Sequence, residues 1–127
     1  MKYIIETEKS VQKASEDLQD AVTKMKYGVL HIHNLQETMR KKGVELPNEC
    51  RIFEICNPQK ANEVLSHDME LNLVLPCRVS VYSEKGKTKI GMIKPTALLG
   101  FLSNSSHLAE VARQVETDLI KMIDSSK

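Results

Sequence analysis

The chain has 127 residues, 41% hydrophobic and 28% charged, the size and make-up of one ordinary globular domain rather than a disordered segment. Its 18 basic and 17 acidic side chains leave a formal net charge of +1, and two Phe, three Tyr and no Trp offer few platforms for stacked bases, so nucleic acid is set aside as a partner. No run reaches the ~18–20 apolar residues of a membrane span, and residues Met1 to Thr7 turn polar too early for a secretory leader, which sets the membrane aside as well.

Residues 2–7 open the chain with a short β-rich run. From about Ser10 to Met25, Val11, Ala14, Leu18, Val22 and Met25 recur at helical spacing, which predicts an amphipathic helix lying on a core. Gly28 to His33 alternate with period two and predict a strand. Asn34 and Glu37 have capping-box spacing ahead of a short helix that Gly43 stops. Val44 to Cys50, with Pro47 and Asn48, reads as a loop, and Arg51 to Cys56 as a third strand. Asn57 and Pro58 then place a favoured N-cap residue before proline at a first helical position, and Ala61, Val64 and Leu65 form the inner side of the helix that follows. Leu73 to Tyr82 reads as a fourth strand, Glu84 to Lys87 as a hairpin turn and Thr88 to Ile93 as its partner. Pro95 to Asn104 reads as an irregular apolar connector. The last helix runs from about Ser106 to Ile123, with Leu108, Val111, Ala112, Val115, Leu119 and Met122 on one face.

The order β-α-β-α-β-α-β-β-α, without repeat or linker, predicts a single α+β domain over residues 1–127. Single apolar stripes on the two long helices suit a two-layer sandwich, a mostly antiparallel sheet with helices on one face. Leu30, Ile32, Phe53, Ile55, Leu75, Cys77, Val79 and Val81 would lie under the helices. The other face would show His31, His33, Glu54, Arg78, Ser80 and Tyr82, open to solvent, a ligand or a second subunit.

The cysteines Cys50, Cys56 and Cys77 are an odd and sparse set that suits the reducing cytoplasm better than a disulfide framework; Cys50, in a polar loop, reads as incidental, and the chemistry centres on the other two. Cys56 ends a strand at a helix start, where the helix dipole lowers a thiol pKa and favours thiolate chemistry. The same position also suits a small apolar residue packed at a strand end. Cys77 is in phase with core residues, and adjacent strands can bring the two thiols together to hold zinc or copper(I) or to form a reversible disulfide. His31 and His33 share a strand face and can supply metal ligands or a base, or simply be polar residues on a wet face. Residues Ser103 to Ser106 can cradle an anion or cap the last helix, and Met25, Met92 and Met122 read as core filling. No phosphate loop, dinucleotide fingerprint or hydrolase elbow is present.

Gly28-Val29-Leu30 before a short helix, Ile55-Cys56-Asn57-Pro58 with Ala61, Leu75-Pro76-Cys77 with Val79 and Val81, and the run Lys89 to Thr96 together resemble the domain-of-unknown-function 302 family. The likeness spans essentially the whole chain in order, and the Cys-Asn-Pro and Leu-Pro-Cys strings are its specific parts. It implies a compact domain on a curved antiparallel sheet, similar to the TATA-binding-protein-like fold, often homodimeric, with no established reaction. The family's two hallmark cysteines fall on Cys56 and Cys77, whereas His31 and His33 lie outside its pattern. The expectation is therefore a non-enzymatic, homodimeric binding domain with a ligand or soft-metal site at Cys56, Asn57 and Cys77, assisted by Glu54 or His31. A thiol enzyme or redox protein using Cys56, and an interaction module with structural cysteines, are the alternatives.

Overall fold

The computed structural model describes residues 1–127. Strands β1 (Lys2–Thr7), β2 (Gly28–Asn34), β3 (Cys50–Cys56), β4 (Cys77–Glu84) and β5 (Lys87–Ile93) form one sheet in the order β1-β5-β4-β3-β2, antiparallel throughout. Helices α1 (Val11–Lys24), α2 (Leu35–Lys41), α3 (Pro58–His67), α4 (Pro95–Leu102) and α5 (Ser106–Ser125) connect and flank it, with a 3-10 helix at Met69–Val74. No helix is long and apolar enough to cross a membrane.

Local chemistry sets most of these boundaries. The side chains of Ser10, Asn34, Asn57 and Ser105 each accept a backbone N–H in the first turn of the helix that follows, satisfying donors with no intrahelical partner. The residues Ser103 to Ser106 thus serve the start of α5 as a cap. At the β4–β5 hairpin, Lys85 (φ 53°) and Gly86 (φ 76°) both occupy the left-handed region, the pair of conformations that lets a two-residue turn match the twist of its strands.

Two apolar clusters hold the domain together. The main one stacks Val11, Ala14, Leu18 and Val22 of α1 and Leu119, Met122 and Ile123 of α5 on Phe53, Ile55, Val79, Val81 and Ile90 of the sheet. These bury one sheet face under the two long helices, as the single stripes require. A smaller cluster joins Val64 of α3, Leu71 of the 3-10 helix, Leu99 of α4, and Leu108, Val111 and Ala112 of α5. Val115 packs against both.

Three local expectations are corrected. Residues Leu73 to Leu75 are not strand: Asp68 caps a 3-10 turn by accepting the Glu70 N–H at 3.0 Å, Leu71 is buried, and Leu73 points to solvent. Leu71, Leu73 and Leu75 alternate only by coincidence with strand spacing, and Pro76, lacking an N–H, delays ladder pairing to Cys77. Pro95 to Leu102 is a helix. Its N-cap Lys94 makes no side-chain cap bond and Gly100 lies inside it, but Glu116 of α5 accepts both the Thr96 N–H (3.1 Å) and the Thr96 hydroxyl (2.6 Å), a tertiary substitute for a cap. In β2 the register steps from Val29↔Ile55 to His31↔Glu54, so Leu30 is the extra residue of a bulge. Val29 and Ile32 face the core and Leu30 is exposed, which reverses the expected phase at Leu30.

The uncovered sheet face is ordered by the same register. Ile4, Gly91, Ser80, Ile52 and His33 align in one row across the five strands. Glycine is favoured at position 91, because a Cβ would lie 2.8 Å from Ile4 Cγ1 and 3.2 Å from the Tyr3 carbonyl oxygen, so that a neighbour would have to shift. A hollow of about 320 Å³ lies over this row, bordered also by Arg78, Tyr82 and Ile93.

Candidate functional site

The junctions of β3 with α3 (Cys56-Asn57-Pro58) and of the 3-10 helix with β4 (Leu75-Pro76-Cys77) lie side by side, because the β3–β4 register pairs Ile55 with Cys77. A cavity of about 270 Å³ opens between these junctions and the helices. Tyr27, Ile55 and Cys77 supply its side toward the main core, Val64 and Leu99 its side toward the smaller one, and Val115 the point where the two meet. The cavity is the imperfect seam between two cores. Exposed Leu30, thrown outward by the β2 bulge, borders it, and Lys60, Asn57 and Asn72 are among the few polar groups there.

Both family cysteines border this cavity, each a free thiol. Burial pushes the Cys77 thiol up to about 11, with a smaller contribution from Cys56 nearby. Burial also raises Cys56, against the expectation that the start of α3 would lower it. Desolvation is the cause at Cys56. At the same helix end Asn57 Oδ1 accepts the Gln59 and Lys60 N–H groups, at 3.1 and 3.2 Å. At neutral pH the pair is protonated. Tyr27 donates its hydroxyl to Asp118 Oδ2 at 2.7 Å, and burial together with this bond holds the phenol far above its ordinary range.

The structure separates the remaining sequence candidates from the thiols. His31, His33 and Glu54 lie on the uncovered face: Glu54 is paired across the ladder with His31 and Arg78, and its Oε2 is 3.3 Å from His33 Nε2. The two imidazoles meet edge to face with centroids 4.4 Å apart. Glu54 and His31 do not line the Cys56–Cys77 cavity, since strand alternation directs them to the other side of the sheet. Cys50 begins β3 opposite Tyr82 and borders no part of the cavity. No three His, Cys, Asp or Glu side chains converge into a metal-binding group. Sequence reasoning missed Tyr27, Lys60 and Leu99. Only the N-cap before Pro58, which places Lys60 in the first turn beside Cys56, could have signalled one of them.

An antiparallel five-stranded sheet with its long helices on one face places the chain in the two-layer α+β class. Within that class the chain belongs to a family: the model described as "Domain of unknown function DUF302" matches residues 3–126. It is similar to the crystal structure of the uncharacterized conserved protein DUF302 from Bacillus stearothermophilus, with 33% identity and a TM-score of 0.93 over 99% of this chain and 98% of that one. No curated protein matches the chain. The family is the one that the Cys-Asn-Pro and Leu-Pro-Cys strings suggest.

Proposed function

We propose that this chain is a non-enzymatic, cytoplasmic binding domain whose ligand site is the cavity bordered by Cys56, Asn57 and Cys77. The observation that carries this is a cavity of about 270 Å³ with a predominantly apolar lining, open to solvent at the seam of two otherwise well-packed cores. Close packing normally eliminates such space, so a persistent apolar hollow with a few polar groups at its border suits a small ligand. An engineered apolar cavity of ~150 Å³ holds a benzene, so this one suits a body about the size of an eight-carbon chain or a bicyclic ring.

The thiols support a binding role over a catalytic one. Attack by sulfur needs thiolate, and burial disfavours it at both positions. Zinc is not favoured either, because a structural site wants four donors and no group of three converges. Two thiols could still hold copper(I), whose preference for soft donors makes it the metal to try. The test of the main reading is a titration with 1-octanol followed by backbone amide shifts. Saturable changes around Tyr27, Ile55 and Val115, lost in Ala61→Phe, which fills the cavity, are expected. Shifts that do not saturate, or that survive the filled variant, would overturn it.

A second copy of the chain is the partner we assign to the uncovered sheet face. Ile4, Ile52 and Ile93 frame the hollow over Gly91, Arg78 stands beside Glu54, and Lys2 lies on the edge strand of the same sheet, a mixture of signs suited to self-pairing. Sedimentation equilibrium should give a dimer that Ile52→Lys converts to a folded monomer. A monomeric wild type removes the assignment.

A further inference from the structure

The charge around the cavity is lopsided. Lys60 is the one cation that borders it, and no carboxylate does. The Lys60 ammonium donates to the neutral Gln114 Oε1 at 2.8 Å and forms no ion pair. The acidic residues of the adjoining groove are Glu110 and Asp118, and neither is paired with Lys60. Asp118 accepts the Tyr27 hydroxyl at 2.7 Å, and Glu110 is paired with Arg113, three residues on along α5. Lys60 is thus the only charged residue bordering the apolar cavity, and no carboxylate is paired with it.

The neighbouring backbone does not offer a competing anion site. Asn57 Oδ1 accepts the Gln59 and Lys60 N–H groups, so the first turn of α3 is already capped and the Lys60 side chain is the available donor. A ligand that placed an apolar body against Ile55, Val64, Leu99 and Val115 would leave its polar end near this ammonium. A neutral polar end would leave the charge as it is. A carboxylate would take a charge-assisted hydrogen bond, stronger than the present bond to an amide oxygen.

We propose that the ligand of the Cys56–Cys77 cavity is a small amphiphilic carboxylate, its apolar body in the seam between the cores and its carboxylate on Lys60. This rests on the cavity being a binding site, and the probes below separate the two claims. Octanoate and 1-octanol share an eight-carbon chain and differ in the charge of the head. With calorimetry at pH 7.5 and low salt, octanoate is expected to bind wild type about tenfold more tightly than 1-octanol does. Lys60→Met, which keeps the stem of the side chain, should remove that advantage and leave 1-octanol affinity within about twofold, whereas Lys60→Arg should retain it. If neither probe binds, the binding-site reading itself fails. If 1-octanol binds as tightly as octanoate, or Lys60→Met leaves the octanoate advantage intact, the cavity stands as an apolar site and the carboxylate assignment is wrong.

Discussion

The protonated state of Cys77 can be tested without knowing any ligand, because it links stability to pH. Burial pushes the folded thiol up to about 11 from an ordinary 9.0, so its proton is held more tightly in the native chain. For a group raised on folding, the stabilisation is complete below the unfolded value and is lost as pH rises toward the folded one. At pH 10 about nine-tenths of unfolded chains but only about one-tenth of native chains have lost the Cys77 proton, a difference worth about 1.4 kcal/mol, whereas at pH 8 it is nearly nil. Urea denaturation under reducing conditions at pH 8, 9 and 10, followed by far-ultraviolet circular dichroism, measures this. Cys50 and Cys56 are raised by burial as well and act in the same direction, so the comparison is with Cys77→Val. The wild type should lose about 1.4 kcal/mol more than Cys77→Val over that range. Equal pH dependence in the two proteins would show that Cys77 titrates normally, and the argument against a thiolate site would fall with it.

Two further predictions concern the scaffold. Gly91→Ala should cost about 1–3 kcal/mol in urea denaturation, because the new methyl meets Ile4 and the Tyr3 carbonyl, and Ile4→Ala in the same chain should recover part of the loss. Strict additivity of the two would mean that β1 moves aside. Ser15 has a buried hydroxyl on α1 with no hydrogen-bond partner, so Ser15→Ala should raise the melting temperature, by an amount equivalent to about 1 kcal/mol, and a drop would reveal a partner for that hydroxyl.

Much of the fold is legible because it rests on local physics. The α1 and α5 stripes, the caps at Ser10, Asn34 and Asn57, and the Lys85-Gly86 hairpin are each set by residues within a few positions of one another. What escapes is decided at long range. The start of α4 is secured by Glu116, twenty residues further on, so its own sequence looks irregular. The β2 bulge at Leu30 depends on its pairing with β3, and no strand shows its own bulge by alternation alone. Leu71 to Leu75 carries strand spacing but obeys the cap at Asp68 and the proline at position 76.

The site divides the same way. Cys56 and Cys77 can be paired from sequence, because each sits beside a proline-marked junction of neighbouring strands. Their chemistry cannot, since the helix start at Asn57 argues for a low thiol pKa while burial, which depends on the whole fold, argues for a high one. Burial sets the direction at Cys56, and the capping side chain of Asn57 accepts the Gln59 and Lys60 N–H groups at the same helix start. A protonated thiol is a small, polarizable, largely apolar side chain. At these two junctions it is compact enough to leave the seam between the cores open and apolar enough to line it. A serine would bring a hydroxyl needing a partner, and a leucine would close the space. Cysteine can thus be required here for the shape and polarity of a cavity, with Lys60, a residue no motif singles out, supplying its one charge.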